Sequence, residues 1–224
     1  MFINSGRVLC DIVPQVLEIG FDGMICGGGT HIICDGKTVL NYTVPHEDAR
    51  RIAQKMDDLN LNGVYERYDK VFFNKNRVSK ISPELLYERV FKRYGEDSVI
   101  DIDDPDFSFN KYHCFYGPDG DAQALAQYLK DELLFIPRGE YGFEMTPIKY
   151  NKATAMKIVT DYYGSGPEDC YAFGDSYNDL PMLSFTPNSA GIGDCDEIRD
   201  KVAFVSTAVS DNGVENAMKH FGLI

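Results

Sequence analysis

Two aspartates, Asp175 and Asp179, lie four residues apart just after the short apolar run 171–173. If the segment from Asn178 onward is helical, the two carboxylates face one another across one turn, where they repel unless a cation lies between them. Carboxylate oxygens are the ligands that Mg²⁺ prefers in proteins. The spacing therefore indicates a Mg²⁺ site at the end of a buried strand. The alternative is a strand-to-helix turn in which Asp175 or Ser176 is the N-cap and Asp179 is only solvated.

Two other polar features could bind an anion. Ser5, Gly6 and Arg7 precede a predicted helix, whose first backbone amides would form an anion site together with the Ser5 hydroxyl. Taken alone, the tripeptide is more typical of an ordinary polar turn. Lys152 opens another predicted helix, at the end that is already positive, so it suggests a nearby anion. A flexible, solvated lysine is the alternative.

The composition restricts the classes of partner. The chain has 224 residues, of which 44% are hydrophobic, enough for one sizeable domain or a domain with an inserted one. Its formal charge of −13 argues against nucleic acid and anionic membranes as partners, because both would repel it. No apolar run approaches the roughly 20 residues of a membrane span. The N-terminal residues do not resemble a signal peptide.

The cysteines indicate a reducing compartment. They contain no Cys-x-x-Cys pair, and most lie in apolar runs: Cys10, Cys26, Cys34, Cys114, Cys170 and Cys195. This pattern is typical of reduced core thiols and not of a disulfide frame or a zinc site. We therefore expect a soluble cytoplasmic protein.

Strands and helices alternate at both ends of the chain, which predicts an α/β fold with a parallel sheet. The N-terminal part is interpreted as a strand at 2–3, a helix over 8–17, a strand at 23–26 and a hairpin that turns at Asp35-Gly36. The glycines at 27–29 are interpreted as backbone geometry, because no Lys-Ser/Thr helix start follows them as in a phosphate loop. The C-terminal part is interpreted as alternating helices and short strands.

The pattern changes at Pro45, where we place a domain boundary. The segment that follows shows helical spacing of apolar residues over 49–59, one strand or two over 64–73, and a helix that opens at Ser82-Pro83. Further elements extend to residue 140. They predict a self-contained α+β module of about 95 residues. Its many tyrosines and phenylalanines are interpreted first as core.

Four features occur in a fixed order: Ser5-Gly6-Arg7 after a strand, a long insert, Lys152 at a helix start, and 174–179 (Gly-Asp-Ser-Tyr-Asn-Asp) after a strand. Together they resemble the second, third and fourth motifs of the haloacid-dehalogenase-like phosphohydrolases, in the Cof-like subgroup with a type-II cap. The resemblance implies a Rossmann-like parallel core formed by residues 1–44 and 141–224. Residues 45–140 would be an inserted α+β cap that closes over the site and selects the substrate.

The resemblance also implies which residues bind phosphate. Ser5 would hydrogen-bond a phosphoryl oxygen, with the Gly6 amide beside it, and Arg7 would lie where a substrate contact is plausible. Lys152 would bind the phosphoryl group and offset the charge of the nucleophile. Asn178 would contact the phosphate or orient Lys152. The substrate would be a small phosphorylated metabolite, such as a sugar phosphate.

The metal and catalytic roles follow from the same resemblance. Asp175 would ligate Mg²⁺ directly, and Asp179 would hold the ion directly or through water. Lys152 and Asp175 are therefore the predicted catalytic residues of the chain. The reaction would proceed through an aspartyl-phosphate that water then hydrolyses.

One motif of the family is missing from the sequence. In the family, a strand that ends in Asp-x-Asp-Gly-Thr carries the nucleophile and should lie tens of residues before Ser5. The nearest substitute in this sequence, Asp101-Ile102-Asp103, lacks the Gly-Thr and lies in the predicted cap. We therefore expect that the 224-residue chain is N-terminally shortened and inactive as written. The alternative is a non-catalytic phosphate- or metabolite-binding protein that has lost its nucleophile. Translation of the DNA upstream of Met1 separates the two.

Overall fold

The computed structural model describes residues 1–75, 91–95, 98–140 and 142–224, in two compact units, Met1–Tyr150 and Asn151–Ile224. Both units combine strands with helices, and every sheet contains a parallel pair, so the predicted α/β class is confirmed. The predicted helix start at Ser82-Pro83 lies outside the described residues.

The N-terminal part of the first unit is a four-stranded sheet with its strands in chain order. The strands are β1 (Phe2–Asn4), β2 (Gly23–Cys26), β3 (His31–Cys34) and β4 (Lys37–Asn41). β1 and β2 pair in parallel, whereas β2, β3 and β4 pair antiparallel. The predicted hairpin turn is confirmed: Asp35 and Gly36 have φ of 50° and 72°, the left-handed backbone that a two-residue hairpin loop needs.

The long helix predicted over 8–17 is wrong. The segment forms one 3₁₀ turn, Leu9–Asp11, and then the four-residue helix α1 (Pro14–Leu17). Pro14 has no backbone N–H and restricts the residue before it to extended backbone, so a helix can begin there but cannot continue through it. Val13 and Leu17, which the pattern placed on an apolar face, are exposed.

The rest of the first unit is a six-stranded sheet with the order β7-β6-β5-β8-β10-β9. Its strands are β5 (Leu61–Glu66), β6 (Val71–Phe73), β7 (Val99–Asp101), β8 (Lys111–Tyr116), β9 (Leu133–Pro137) and β10 (Gly142–Pro147). Among the described residues of this part, the helices are α2 (His46–Asp58), α3 (Lys92–Tyr94) and α4 (Ala122–Tyr128). Because β10 pairs with β8 and β9, this sheet extends past residue 140, where we predicted the end of the cap.

Aromatic residues form the core of this part of the chain, as the sequence indicated. The side chains of Phe72, Phe107, Phe109, Tyr112 and Phe143 are fully buried. Their rings meet edge-on or tilted, and one face of α2 packs against the same cluster. Burial of each such side chain contributes about 1.5–3 kcal/mol, so the six-stranded sheet is a rigid support for the polar residues at its surface.

The second unit is a three-stranded parallel sheet with flanking helices, which confirms the parallel pairing predicted for this half. Its elements are α5 (Lys152–Tyr163), β11 (Tyr171–Gly174), α6 (Leu180–Leu183), β12 (Asn188–Ile192), β13 (Phe204–Ser206) and α7 (Gly213–His220). β11 lies at one edge of the sheet and β12 in the middle. The residues that follow β11 are those whose spacing indicated a metal site.

All six cysteines are free thiols, and four of them are buried. In the described ranges, no helix has both the length and the apolar character needed to cross a bilayer. A cytoplasmic location stays a prediction.

Candidate functional site

Lys152 is the first residue of α5, and the helix start is fixed by a complete capping box. The Asn151 side chain accepts hydrogen bonds from the backbone N–H groups of Ala153 and Thr154, both at 2.9 Å. The Thr154 hydroxyl in turn accepts from the Asn151 N–H at 2.9 Å. These contacts satisfy backbone donors that a helix start leaves without partners. They hold the Lys152 backbone at the first helical position.

The Lys152 side chain is buried and forms an ion pair with Asp179. The two side chains are only 9% and 7% exposed, and the Lys152 ammonium donates to Asp179 Oδ1. The predicted anion beside Lys152 is therefore a carboxylate of the chain itself. The alternative of a solvated lysine is wrong, and so is the alternative of a solvated Asp179.

The other carboxylate oxygen of Asp179 holds the turn after β11. Asp179 Oδ2 accepts from the backbone N–H of Asp175 at 3.1 Å and from the backbone N–H of Ser176 at 3.3 Å. Burial raises the pKa of Asp179, but the Lys152 charge and these hydrogen bonds outweigh it and hold the pKa below its usual value. Asp179 is therefore an anion that fixes the backbone of the turn.

Gly174 makes this close approach possible. A Cβ atom at position 174 would lie 2.6 Å from Asp179 Cβ and 2.9 Å from its Oδ2, far inside van der Waals contact. The segment that we expected to be helical from Asn178 is a single 3₁₀ turn, Tyr177–Asp179, followed by α6. The glycine before the first aspartate is thus the sequence signal for the second aspartate folding back on the strand.

The turn presents Asp175 to solvent. The Asp175 side chain is exposed at the end of β11, while its backbone N–H donates a hydrogen bond to the Asp179 carboxylate. Asn178 is half-buried and accepts a hydrogen bond from the Ser176 hydroxyl. Lys152, Asp175, Asn178 and Asp179 are therefore brought together as predicted for the second unit.

The donor set fits a Mg²⁺ ion only in part. Asp175 offers an exposed carboxylate, the kind of oxygen ligand that Mg²⁺ takes. Both oxygens of Asp179 already accept hydrogen bonds within the chain, so this residue is suited to hold the ion through water. Among the described residues, no group of three or more His, Cys, Asp or Glu side chains is arranged to hold a metal. Asp175 is thus suited to ligate Mg²⁺ directly, and Asp179 to hold the ion through a water molecule. The remaining ligands of the ion would come from water and substrate.

In the first unit, Ser5, Gly6 and Arg7 form the predicted loop after β1. The Ser5 hydroxyl oxygen accepts from the Arg7 N–H at 3.1 Å, which leaves the hydroxyl proton to be donated elsewhere. The loop carbonyls are held by the glycine turn: the Gly28 N–H donates to Ser5 O at 3.0 Å and the Gly27 N–H to Arg7 O at 2.7 Å. The glycines are thus backbone geometry, as we interpreted them, and their function is to fix this loop.

Two contacts of the loop were not anticipated from the sequence. The exposed Arg7 side chain lies 3.5 Å from the buried Asp11 carboxylate, which also pairs with Arg93. The Gly6 carbonyl accepts from the ammonium of Lys111 at 3.1 Å. Lys111 is 105 residues away in sequence, and no motif marks it.

The sequence is similar to one family over nearly its whole length. The model of the family described as haloacid dehalogenase-like hydrolase matches residues 1–218. The chain is 28% identical to 5-amino-6-(5-phospho-D-ribitylamino)uracil phosphatase YwtE of Bacillus subtilis, over 95% of this chain and 82% of that protein. It is 35% identical to the HMP-PP phosphatase of Enterobacter sp., over 80% of this chain and 66% of that protein.

The fold is similar to that of solved phosphatases. A phosphatase of the haloalkanoate enzyme superfamily from Bacteroides thetaiotaomicron superposes with a TM-score of 0.81 at 21% identity, over 100% of this chain and 82% of that one. At this identity the similarity concerns the fold.

Proposed function

The chain belongs to the haloacid dehalogenase-like hydrolases. We therefore propose that it binds a small phosphorylated metabolite and takes part in the Mg²⁺-dependent hydrolysis of its phosphate ester. The proposal rests on the buried Lys152–Asp179 ion pair. Asp179 also accepts a hydrogen bond from the Asp175 N–H and so fixes the turn after β11, with the Asp175 carboxylate exposed at the strand end. A turn that served only to connect a strand to a helix would not need a buried charge pair to support it.

Each unit contains residues that we propose for phosphate binding. In the first unit, the Ser5 hydroxyl proton and the Gly6 amide are the donors proposed for phosphoryl oxygens, and the Arg7 guanidinium is the proposed substrate contact. In the second unit, Lys152 is proposed to offset the negative charge that gathers on the phosphoryl group, and Asn178 to contact the phosphate or keep Lys152 in place.

A bound Mg²⁺ would neutralise phosphoryl oxygens and align the ester for in-line attack. We propose Asp175 as its direct ligand and Asp179 as the residue that holds the turn and reaches the ion through water. In the proposed reaction, an aspartate oxygen attacks phosphorus and the ester P–O bond breaks, with the leaving alkoxide taking a proton from a general acid. Water then attacks the aspartyl-phosphate and releases phosphate.

The nucleophile is the part of this scheme that the 224 residues do not supply, because they contain no Asp-x-Asp-Gly-Thr segment. That observation supports a second candidate, a phosphate- or metabolite-binding protein without turnover. The two candidates share the binding residues and differ only in the nucleophile, so binding and hydrolysis must be measured separately. For both, the charge of −13 supports a small-molecule ligand and not nucleic acid or a membrane.

Calorimetric titration with Mg²⁺, in the presence and absence of inorganic phosphate, tests the binding residues. We expect Asp175→Asn to weaken Mg²⁺ binding at least about tenfold, because an amide cannot replace the charge of a direct carboxylate ligand. Asp200→Asn, a change at an exposed aspartate of the same unit, is the matched control and should leave binding unchanged. Equal affinities of Asp175→Asn and the wild type would overturn the metal assignment.

A further inference from the structure

Three charged residues lie side by side on neighbouring strands of the six-stranded sheet. Glu66 on β5 is the cross-strand partner of Lys111 on β8, and Glu144 on β10 lies on the other side. The Lys111 ammonium is 3.3 Å from a carboxylate oxygen of each glutamate. Its side chain is 6% exposed and that of Glu66 is 4% exposed. Arg138 pairs with Glu144 at 3.4 Å, so the group has two positive and two negative charges.

The cluster keeps Lys111 charged. Burial lowers the pKa of this lysine, but the two carboxylates outweigh that effect and raise it above its usual value. A buried ion pair is often no more stabilising than apolar side chains of the same volume. Stability alone therefore does not explain a charged lysine at this place in the sheet.

The remaining hydrogen bond of Lys111 leaves the sheet and reaches the Ser5–Arg7 loop. Its ammonium donates to the Gly6 carbonyl at 3.1 Å. That carbonyl belongs to the peptide group whose N–H is on Arg7, and this N–H donates to the Ser5 hydroxyl oxygen at 3.1 Å. Because a peptide group is planar, Lys111 at its C=O end and Ser5 at its N–H end fix one orientation of the plane. One of the two acceptor lone pairs of the Ser5 hydroxyl is then occupied, and the hydroxyl proton points away from the Arg7 N–H, where another acceptor can take it.

We propose that Lys111 is a positioning residue for phosphoryl-group binding, acting through the Gly6–Arg7 peptide group to orient the Ser5 hydroxyl as a donor. This role deepens the proposed function and rests on it for the identity of the ligand. The positioning itself is a property of the first unit without ligand, so an experiment without ligand can test it separately.

The test needs a variant that removes the ammonium without leaving excess buried charge. Lys111→Met combined with Glu66→Gln does so, because Glu144 and Arg138 still neutralise one another. The side-chain carbonyl introduced by Glu66→Gln also remains an acceptor for the Tyr94 hydroxyl, which donates to Glu66 in the native protein. The single variant Glu66→Gln is the reference background, so the comparison isolates Lys111.

Amide hydrogen exchange of Arg7, followed by NMR without ligand, tests the positioning. We expect the Arg7 amide to exchange at least about tenfold faster in Lys111→Met/Glu66→Gln than in Glu66→Gln, while amides of β8 keep their rates. An unchanged Arg7 rate would overturn the proposal, since the peptide group would then be oriented without Lys111.

Titration with inorganic phosphate in the presence of Mg²⁺, followed at the Gly6 and Arg7 amides, tests the consequence for binding. We expect about tenfold weaker phosphate binding in the double variant than in its background, the effect of one misdirected hydrogen bond. Adding Ser5→Ala should then weaken binding little further, because both changes remove the same donor. Full additivity would overturn the proposed route through Ser5. Absence of phosphate binding in the wild type would contradict the proposed function, and the Arg7 exchange rates would still decide the positioning role.

Discussion

Replacement of Asp179 by asparagine removes the negative charge from the buried Lys152–Asp179 pair but keeps the size of the side chain. Removal of one partner from a buried ion pair costs about 3–5 kcal/mol. The asparagine carbonyl can still accept from the N–H groups of Asp175 and Ser176, so the expected loss lies near the lower limit, about 3 kcal/mol. For a chain of this length, that loss lowers Tm by about 6–12 °C.

Helix α5 itself provides the matched control. Lys157 and Asp161 also form a Lys–Asp pair, at 2.9 Å, but their side chains are 66% and 62% exposed. Water and salt screen such a pair, so Asp161→Asn should change the free energy of unfolding by no more than about 0.5 kcal/mol. Urea unfolding followed by far-UV circular dichroism measures both variants. Equal losses would refute the assignment of the Lys152–Asp179 pair as the support of the turn.

The pH dependence gives the same prediction a second test. The pKa of Asp179 is lowered in the folded chain, so its contribution to stability is fully present above the unfolded pKa of about 3.9. It is lost as the pH falls through the lower, folded pKa. The stability difference between the wild type and Asp179→Asn should therefore shrink below pH of about 4. A difference that stayed constant in acid would contradict the charge-based explanation.

Two further predictions concern the same turn and its lysine. Gly174→Ala should lower stability by about 1–3 kcal/mol in urea unfolding, because the new Cβ atom would lie 2.6 Å from Asp179; a neutral effect would show that the turn can move away from β11. Lys152→Ala should weaken phosphate binding in calorimetry far more than Lys149→Ala, since only Lys152 is placed in the buried group with Asp179. Comparable losses in the two lysine variants would remove the phosphate-binding role from Lys152.

The local features of the site could be predicted from sequence because they depend on short-range chemistry. The sequence places Lys152 at the start of a helix, and the structure confirms that α5 begins at this residue. The Gly-Asp after an apolar run predicted the strand end that presents Asp175. A helix start and a strand end are each marked by residues that are neighbours in sequence, so the local pattern is enough to detect them.

The long-range pairs could not be predicted in this way. Lys152 and Asp179 are 27 residues apart, and Lys111 and Gly6 are 105 apart, so no helical or strand period relates them. The sequence suggested an anion near Lys152 but did not identify Asp179 as that anion. The predicted helix over 8–17 failed for another reason: apolar spacing was given more weight than Pro14, which does not allow a helix to continue.

Hydrolysis of p-nitrophenyl phosphate by the purified chain, measured with and without Mg²⁺, tests whether the 224 residues contain a nucleophile. We expect background rates for the 224-residue chain, and Mg²⁺-dependent turnover once a strand that ends in Asp-x-Asp-Gly-Thr is fused ahead of Met1. Turnover of the fused form should be lost in Asp175→Asn. Mg²⁺-dependent turnover by a monomer of the 224-residue chain would contradict this expectation, because the nucleophile would then be a residue to which we assign no catalytic role.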